Sequence, residues 1–241
     1  CPADEIHAPG TVERGSGKAL SASAGLFAGI DAALYAHPEF INTVSKQSLW
    51  MRRDYARISG QRSLKPGVMT PPMAALKSLA AIVERVPPDR VMLEQMHLEG
   101  DVEEGTGLVM NATFLIFAED EAGIAAHAKT LRSTLADATW RAGAAISGVR
   151  PDDQVTAAVA EAFAASGRDF VSNPPPLPFA TDFGNVSHVV PAALIGIGRP
   201  GGWKFHTDEG ARAFAGPDGE EAALGIAKVM TLAATRLTEP R

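Results

Sequence analysis

Four short polar stretches carry most of the side chains able to do chemistry: PADE (2–5), AHPEF (36–40), TDFGNVSHVVP (181–191) and KFHTDE (204–209). Each lies at the end of an apolar run, which is where open α/β sheets place their sites. Their side chains include the adjacent carboxylates Asp4 and Glu5 and the imidazoles His37 and His206. Carboxylate oxygen with imidazole nitrogen is the ligand set for Zn, Mn or Co. An ion so held would bring the pKa of a bound water toward ~7, and a neighbouring carboxylate could take the proton. Adjacent side chains point in different directions, so one acid of the pair can bind metal while the other handles protons. Spacing alone leaves a second reading open. Neither HExxH nor paired CxxC occurs, and scattered histidines and acids are commonly surface or satisfied core residues.

The elements that must position these stretches can be read from periodicity and punctuation. Residues 17–27 read as a short helix, and 30–38 as a buried strand running into a proline-ended loop. A block with its own rhythm follows. Residues 48–60 alternate as a strand, and 70–86 open with Thr and Pro and keep apolar residues at helical spacing. Residues 90–102 and 107–120 read as two strands around an acidic, glycine-containing turn. Residues 120–143 read as one long amphipathic helix and 144–150 as a last strand. That order, strand-helix-strand-strand-helix-strand, is the ferredoxin-like pattern. Beyond it come a helix over 152–167, a proline-rich connector over 172–179, an apolar strand-like run within 187–198, and a closing helix over 220–239. The expected fold is therefore α/β: residues 1–46 and 151–241 as parts of one domain, interrupted by an α+β insert over 47–150.

Composition excludes several classes. The 241 residues are 46% hydrophobic and 21% charged, ordinary for a globular chain. A net charge of -6 with no Lys/Arg block argues against a nucleic-acid groove. No uninterrupted apolar run reaches the length of a membrane span. The single cysteine rules out an internal disulfide framework and suits a reducing, cytoplasmic compartment. The stretch RGSGKA (14–19) lacks the first glycine and the final Ser/Thr of a P-loop.

Taken in order, CPADE, GLFAGIDAALYAHP, TDFGNVSHVVP and FHT resemble motifs of the M20 metallopeptidase and amidohydrolase family, in its aminobenzoyl-glutamate hydrolase and aminoacylase-like branch. The similarity extends over nearly the whole chain. It implies a metallopeptidase-like α/β catalytic domain, incomplete at its N-terminus, with a ferredoxin-like insert acting as lid or dimerisation domain. It implies Glu5, His37 and His206 as ligands to one or two divalent ions (Zn, Mn or Co) and Asp4 as general base. Asp182, Asn185 and Ser187 would form a loop supporting the site or touching substrate. His97 and His188 match no family role. The chain would be the C-terminal part of a longer protein whose upstream segment supplies further ligands. A less favoured alternative makes Cys1 a processed N-terminal nucleophile.

The expected activity is hydrolysis of a C–N bond in a small amide, an N-acyl amino acid or dipeptide-like molecule, by metal-activated water. The expected partners are that substrate and further copies of the chain joined through residues 47–150, with no nucleic acid and no membrane. Three departures from the family pattern keep alternatives in play. Asp4 stands where the family has Glu, one methylene longer. Leu64 stands near the family's lid histidine, and Ala118 near an arginine that grips substrate, with Arg52, Arg53 or Arg62 as substitutes. The alternatives are an aminohydrolase acting on a small aromatic substrate such as a nitroanthranilate, or a non-catalytic relative acting only in assembly.

Overall fold

The computed structural model describes residues 16–44, 47–60, 71–99, 108–199, 201–204 and 207–239. In chain order the elements are α1 (Gly17–Ser23), β1 (Ala33–Glu39), β2 (Trp50–Gly60), α2 (Pro71–Arg85), β3 (Val91–Glu99), β4 (Leu108–Ala118), α3 (Glu121–Thr134), β5 (Thr139–Ile146), α4 (Asp153–Ser166), α5 (Phe183–Ser187), β6 (Ala192–Gly198), α6 (Asp208–Phe214) and α7 (Pro217–Thr238). They group into two compact units. One takes in Leu49–Gly148, and the other joins Ser21–Ser48 to Val149–Arg241.

In the first unit four strands form an antiparallel sheet in the order β3-β4-β2-β5. The element order β-α-β-β-α-β is ferredoxin-like. β4 shows why the helices lie on one face. Met110, Ala112, Phe114, Ile116 and Ala118 are buried, and the residues between them are half-buried, as a period of two requires. Met110, Ala112 and Phe114 pack with Ile82 and Val86 from α2 and its end and with Leu131 and Leu135 from α3 and its end, while Ile116 and Ala118 pack with Ile124 and Ala128 of α3. Asp120 starts α3 by accepting a hydrogen bond from the Gly123 N–H at 2.7 Å.

The same face of β2 carries a charge. Asp54 is fully buried. Arg52 donates to it from Nε at 2.7 Å and from Nη2 at 3.0 Å, and Arg132 of α3 adds a bond from Nη2 at 3.1 Å. The carboxylate thus ties sheet to helix.

The single long helix expected over 120–143 is in fact helix then strand. α3 ends at Thr134, and β5 runs from Thr139 to Ile146, earlier than the expected 144–150. Pairing with β2 overrides the helical pattern. Trp140 packs its ring 5.8 Å from that of Phe114 and donates from Nε1 to the Leu135 carbonyl.

In the second unit β1 and β6 pair in parallel, with His37 opposite Gly196. β6 reads AALIGIG, a continuous apolar run, because both its faces are covered. Ala193, Ile195 and Ile197 pack against Val155, Val159, Ala162 and Phe163 of α4 and Ile226, Val229 and Ala233 of α7. Ala192 and Leu194 pack on the other side with Val149, Phe183, Val186 and Val190. α4 begins where the Asp152 side chain accepts from the Val155 N–H, and ends at Gly167 in the left-handed region, φ 71°. Two local expectations change. The TDFGNVS block, expected as a loop, forms the helical turn α5, so the strand begins only at Ala192, after Pro191. α6, capped by the Thr207 hydroxyl, was not anticipated.

Removing Asp54 would leave Arg52 and Arg132 without their shared partner. The Asp54→Ala substitution is expected to cost about 3–5 kcal/mol, read as a lowered urea midpoint at unchanged m-value.

Candidate functional site

His37 lies near the carboxyl end of β1, the end of a parallel strand at which α/β folds gather ligands. Strand alternation decides its surroundings. Leu34 and Ala36 face the α4/α7 core, whereas Ala33 and Tyr35 face the cluster that holds Phe183 and Val186 of α5. His37 and Glu39 continue the second set. Tyr35 stacks on Phe183, with ring centroids 5.0 Å apart at 22°. The His37 ring lies 6.4 Å from Tyr35 and 5.5 Å from Phe179.

Two acceptors meet His37 Nδ1: the Pro38 carbonyl oxygen at 2.8 Å and Glu39 Oε1 at 3.2 Å. Nδ1 therefore carries the hydrogen and donates. In the neutral ring this makes Nε2 the lone-pair nitrogen. A metal-ligating histidine characteristically gives its other N–H to a carboxylate or carbonyl, so the donor set at His37 fits a ligand bound through Nε2. Glu39 reaches the ring because it is two residues along the same strand face, with its side chain 13% exposed.

The strand ends are held close by glycine. A Cβ on Gly196 would overlap the Thr43 hydroxyl and come within 2.8 Å of Glu39 Cγ. Thr43 pairs with Gly196 across the edge opposite β1, with N–H···O bonds of 3.2 and 2.9 Å. Asn42 accepts from the Gly198 N–H through Oδ1 at 2.9 Å and donates to the Asp169 carbonyl at 3.0 Å. The chain after β1 is thereby folded over the end of β6.

Among the other expected site residues, Asp182 is buried beside α5 and its side chain makes no capping bond to that helix. Asn185 lies within α5. The Ser187 hydroxyl donates to the Gly184 carbonyl at 2.7 Å and accepts from the Arg150 N–H at 2.9 Å. Its bonds tie α5 to the chain entering α4. His37 and the α5 block thus share one face of one unit, joined through Tyr35 and Phe183. Asp4, Glu5 and His206 lie outside the described residues, as do Cys1, Leu64 and Arg62. Among the described residues no three His, Cys, Asp or Glu side chains are grouped to hold an ion.

Ala118 is fully buried in a cluster with Ile116, Ile124 and Ala128. Arg52 is committed to Asp54. Arg53 forms a two-pronged pair with Glu94, both bonds at 2.7 Å, and hydrogen bonding to Glu94 raises its pKa above the ordinary arginine value. Sequence reading missed Tyr35, Glu39 and Phe179. Only Glu39 carried a usable signal, a carboxylate two residues beyond a strand histidine.

No protein-family model and no curated relative matches the sequence. Solved structures do match. A dinuclear metal binding peptidase of the M20 family from Bacillus subtilis superposes with a TM-score of 0.61 at 15% identity, over 93% of this chain and 62% of that one. An amidase of the hydantoinase/carbamoylase family from Burkholderia vietnamiensis gives 0.62 at 17%, over 88% and 55%. Another from Burkholderia phymatum gives 0.55 at 15%, over 86% and 55%. The chain shares the α/β fold of these proteins and spans little more than half of their length.

Gly196→Ala would force Glu39 and Thr43 away from β6. The expected cost is about 1–3 kcal/mol from overpacking, measured by denaturant unfolding.

Proposed function

We propose that this chain is part of a divalent-metal-dependent hydrolase of the M20 type, cleaving the C–N bond of a small amide such as an N-acyl amino acid. The observation that carries the reading is His37, with its Nδ1–H held by Glu39 and the Pro38 carbonyl at the carboxyl end of a parallel strand. The shared fold and the ordered motifs support it. In this reading residues 1–46 and 151–241 belong to the catalytic domain, and 47–150 form the lid and dimerisation insert.

Each residue then has a task. His37 binds through Nε2, and Glu39 fixes the ring's tautomer and direction. Glu5 and His206 complete the chain's own ligand set, with more from an upstream segment. A divalent ion (Zn, Mn or Co, singly or as a pair) supplies Lewis acidity and a water acidic enough to act as nucleophile near neutral pH. Asp4 would serve as the general base toward the attacking water and as the proton donor to the leaving nitrogen. Asp182, Asn185 and Ser187 buttress the strand end from α5.

Self-association through the insert has support in β3. It forms one edge of the sheet and exposes Met92, Leu93, Met96 and Leu98. An apolar edge strand invites pairing. Among the described residues no helix is long and apolar enough to cross a membrane. A reducing, cytoplasmic setting suits the single cysteine.

A second reading has an observation of its own. Two of the three arginines considered as replacements for the family's carboxylate grip, Arg52 and Arg53, are engaged with Asp54 and Glu94. Removal of an amino group by attack of water on an activated ring carbon needs no peptide-type oxyanion pocket. Incubation with a panel of N-acyl amino acids and aminoarenes separates the two: amide cleavage supports the first, ammonia release without it the second. Turnover of neither, with no bound metal, would leave an assembly role.

Metal analysis of the natural-length protein is expected to show near-stoichiometric divalent ion. His37→Ala should abolish it, and Glu39→Ala should weaken metal affinity roughly 10–100-fold without unfolding. Unchanged metal content in His37→Ala would remove His37 from the ligand set.

A further inference from the structure

We infer that the segment NPPPLP (173–178) is a docking ligand for a partner protein whose aromatic-lined groove reads a polyproline II helix. The inference goes beyond the hydrolase reading and does not rest on it. Proline at 174, 175, 176 and 178 fixes φ at each of those positions. Asn173, Pro174, Pro175 and Leu177 each precede a proline and are pushed to an extended ψ. The two restraints together favour the left-handed polyproline II helix, which turns once in about three residues and makes no hydrogen bonds within itself. Such a helix has three edges, each made of residues three apart.

Exposure along the segment follows that period. Pro174 and Leu177 share one edge and are both half-buried. Pro175 and Pro178 share the second edge, Asn173 and Pro176 the third, and all four are exposed. Leu177 anchors the inward edge: its N–H donates to the Gln47 carbonyl at 2.9 Å, it bridges to Ser48, and its side chain packs on the α5 cluster. Asn173 and Pro176 border an open cleft beside the start of α4, with Asp153 and Thr156 among its other walls. Two edges are thus presented to solvent while the third is tied to the fold. The spacing Pro175-x-x-Pro178 on an outward edge is that of segments that dock in aromatic-lined grooves. Because the helix is stiffened by its prolines and held at Leu177, little entropy is lost when a groove closes on it.

The test adds the natural-length protein to isotope-labelled SH3 and WW domains in separate titrations and follows the amide shifts of each domain's aromatic groove. Saturable shifts confined to the groove of at least one domain are expected. Pro175→Ala and Pro178→Ala, on the outward edge, should each weaken that binding by about ten-fold. Pro174→Ala, on the inward edge, should leave it unchanged. Urea midpoints of the unsubstituted protein and the three variants show that each is folded. No saturable shift with either domain overturns the inference. Binding that survives both outward substitutions, or that Pro174→Ala weakens as much as they do, overturns it as well. If one outward variant does not fold, the other decides.

Discussion

The burial of β6 on both faces is the constraint from which the second unit follows. Seven residues without a charged side chain can be stabilised only if apolar surface meets them on each side. α4 and α7 supply one layer, and α5 with its neighbours the other. β6 is also paired along both edges, by β1 on one and by Thr43 on the other. The Gly196 N–H and carbonyl are thereby bonded on that second edge, which matters more for a buried strand than for an exposed one. Because β1 must lie in register with β6, His37 is held opposite Gly196. The chemistry proposed for His37 thus depends on a strand with no chemistry of its own.

The glycines of β6 show how tightly the two ends are joined. Gly196 leaves room for Glu39 on one side and Thr43 on the other, and Gly198 lets Ile41 and Asn42 pass over the strand end. A carboxylate can then stand against Nδ1 of the histidine two residues before it. The His37–Glu39 hydrogen bond, the loop and the strand register form one packed arrangement. In the first unit Asp54 has a comparable part: a single buried carboxylate, shared by two arginines, joins β2 to α3. The buried pair binds two elements together in a sheet whose core is otherwise apolar.

Much of this was legible from the residues. The proline start of α2 and the apolar run of β6 each carry local signals strong enough to survive folding. The insert's element order was legible for the same reason, since its strands alternate and its helices do not. Where reading failed, pairing had the deciding vote. Residues 135–143 kept a helical rhythm, yet β2 offered them an edge and Trp140 a contact with Phe114. The TDFGNVS block shortened into a helical turn because Ser187 could bond back to Gly184 and forward to Arg150.

The sequence by itself determined the α/β class, the ferredoxin-like order of 47–150, and His37 as a histidine at a strand end. These rest on periodicity and on short motifs, which are local properties of the chain. Only the tertiary structure decided that Glu39 and the Pro38 carbonyl hold His37 Nδ1, that Phe179 stands beside its ring, and that Ala118 faces the core. It also decided that Arg52 and Arg53 are already engaged. Each of these is a contact set by strand register and by which face a period of two turns inward. No run of residues encodes that until its partner strand is in place.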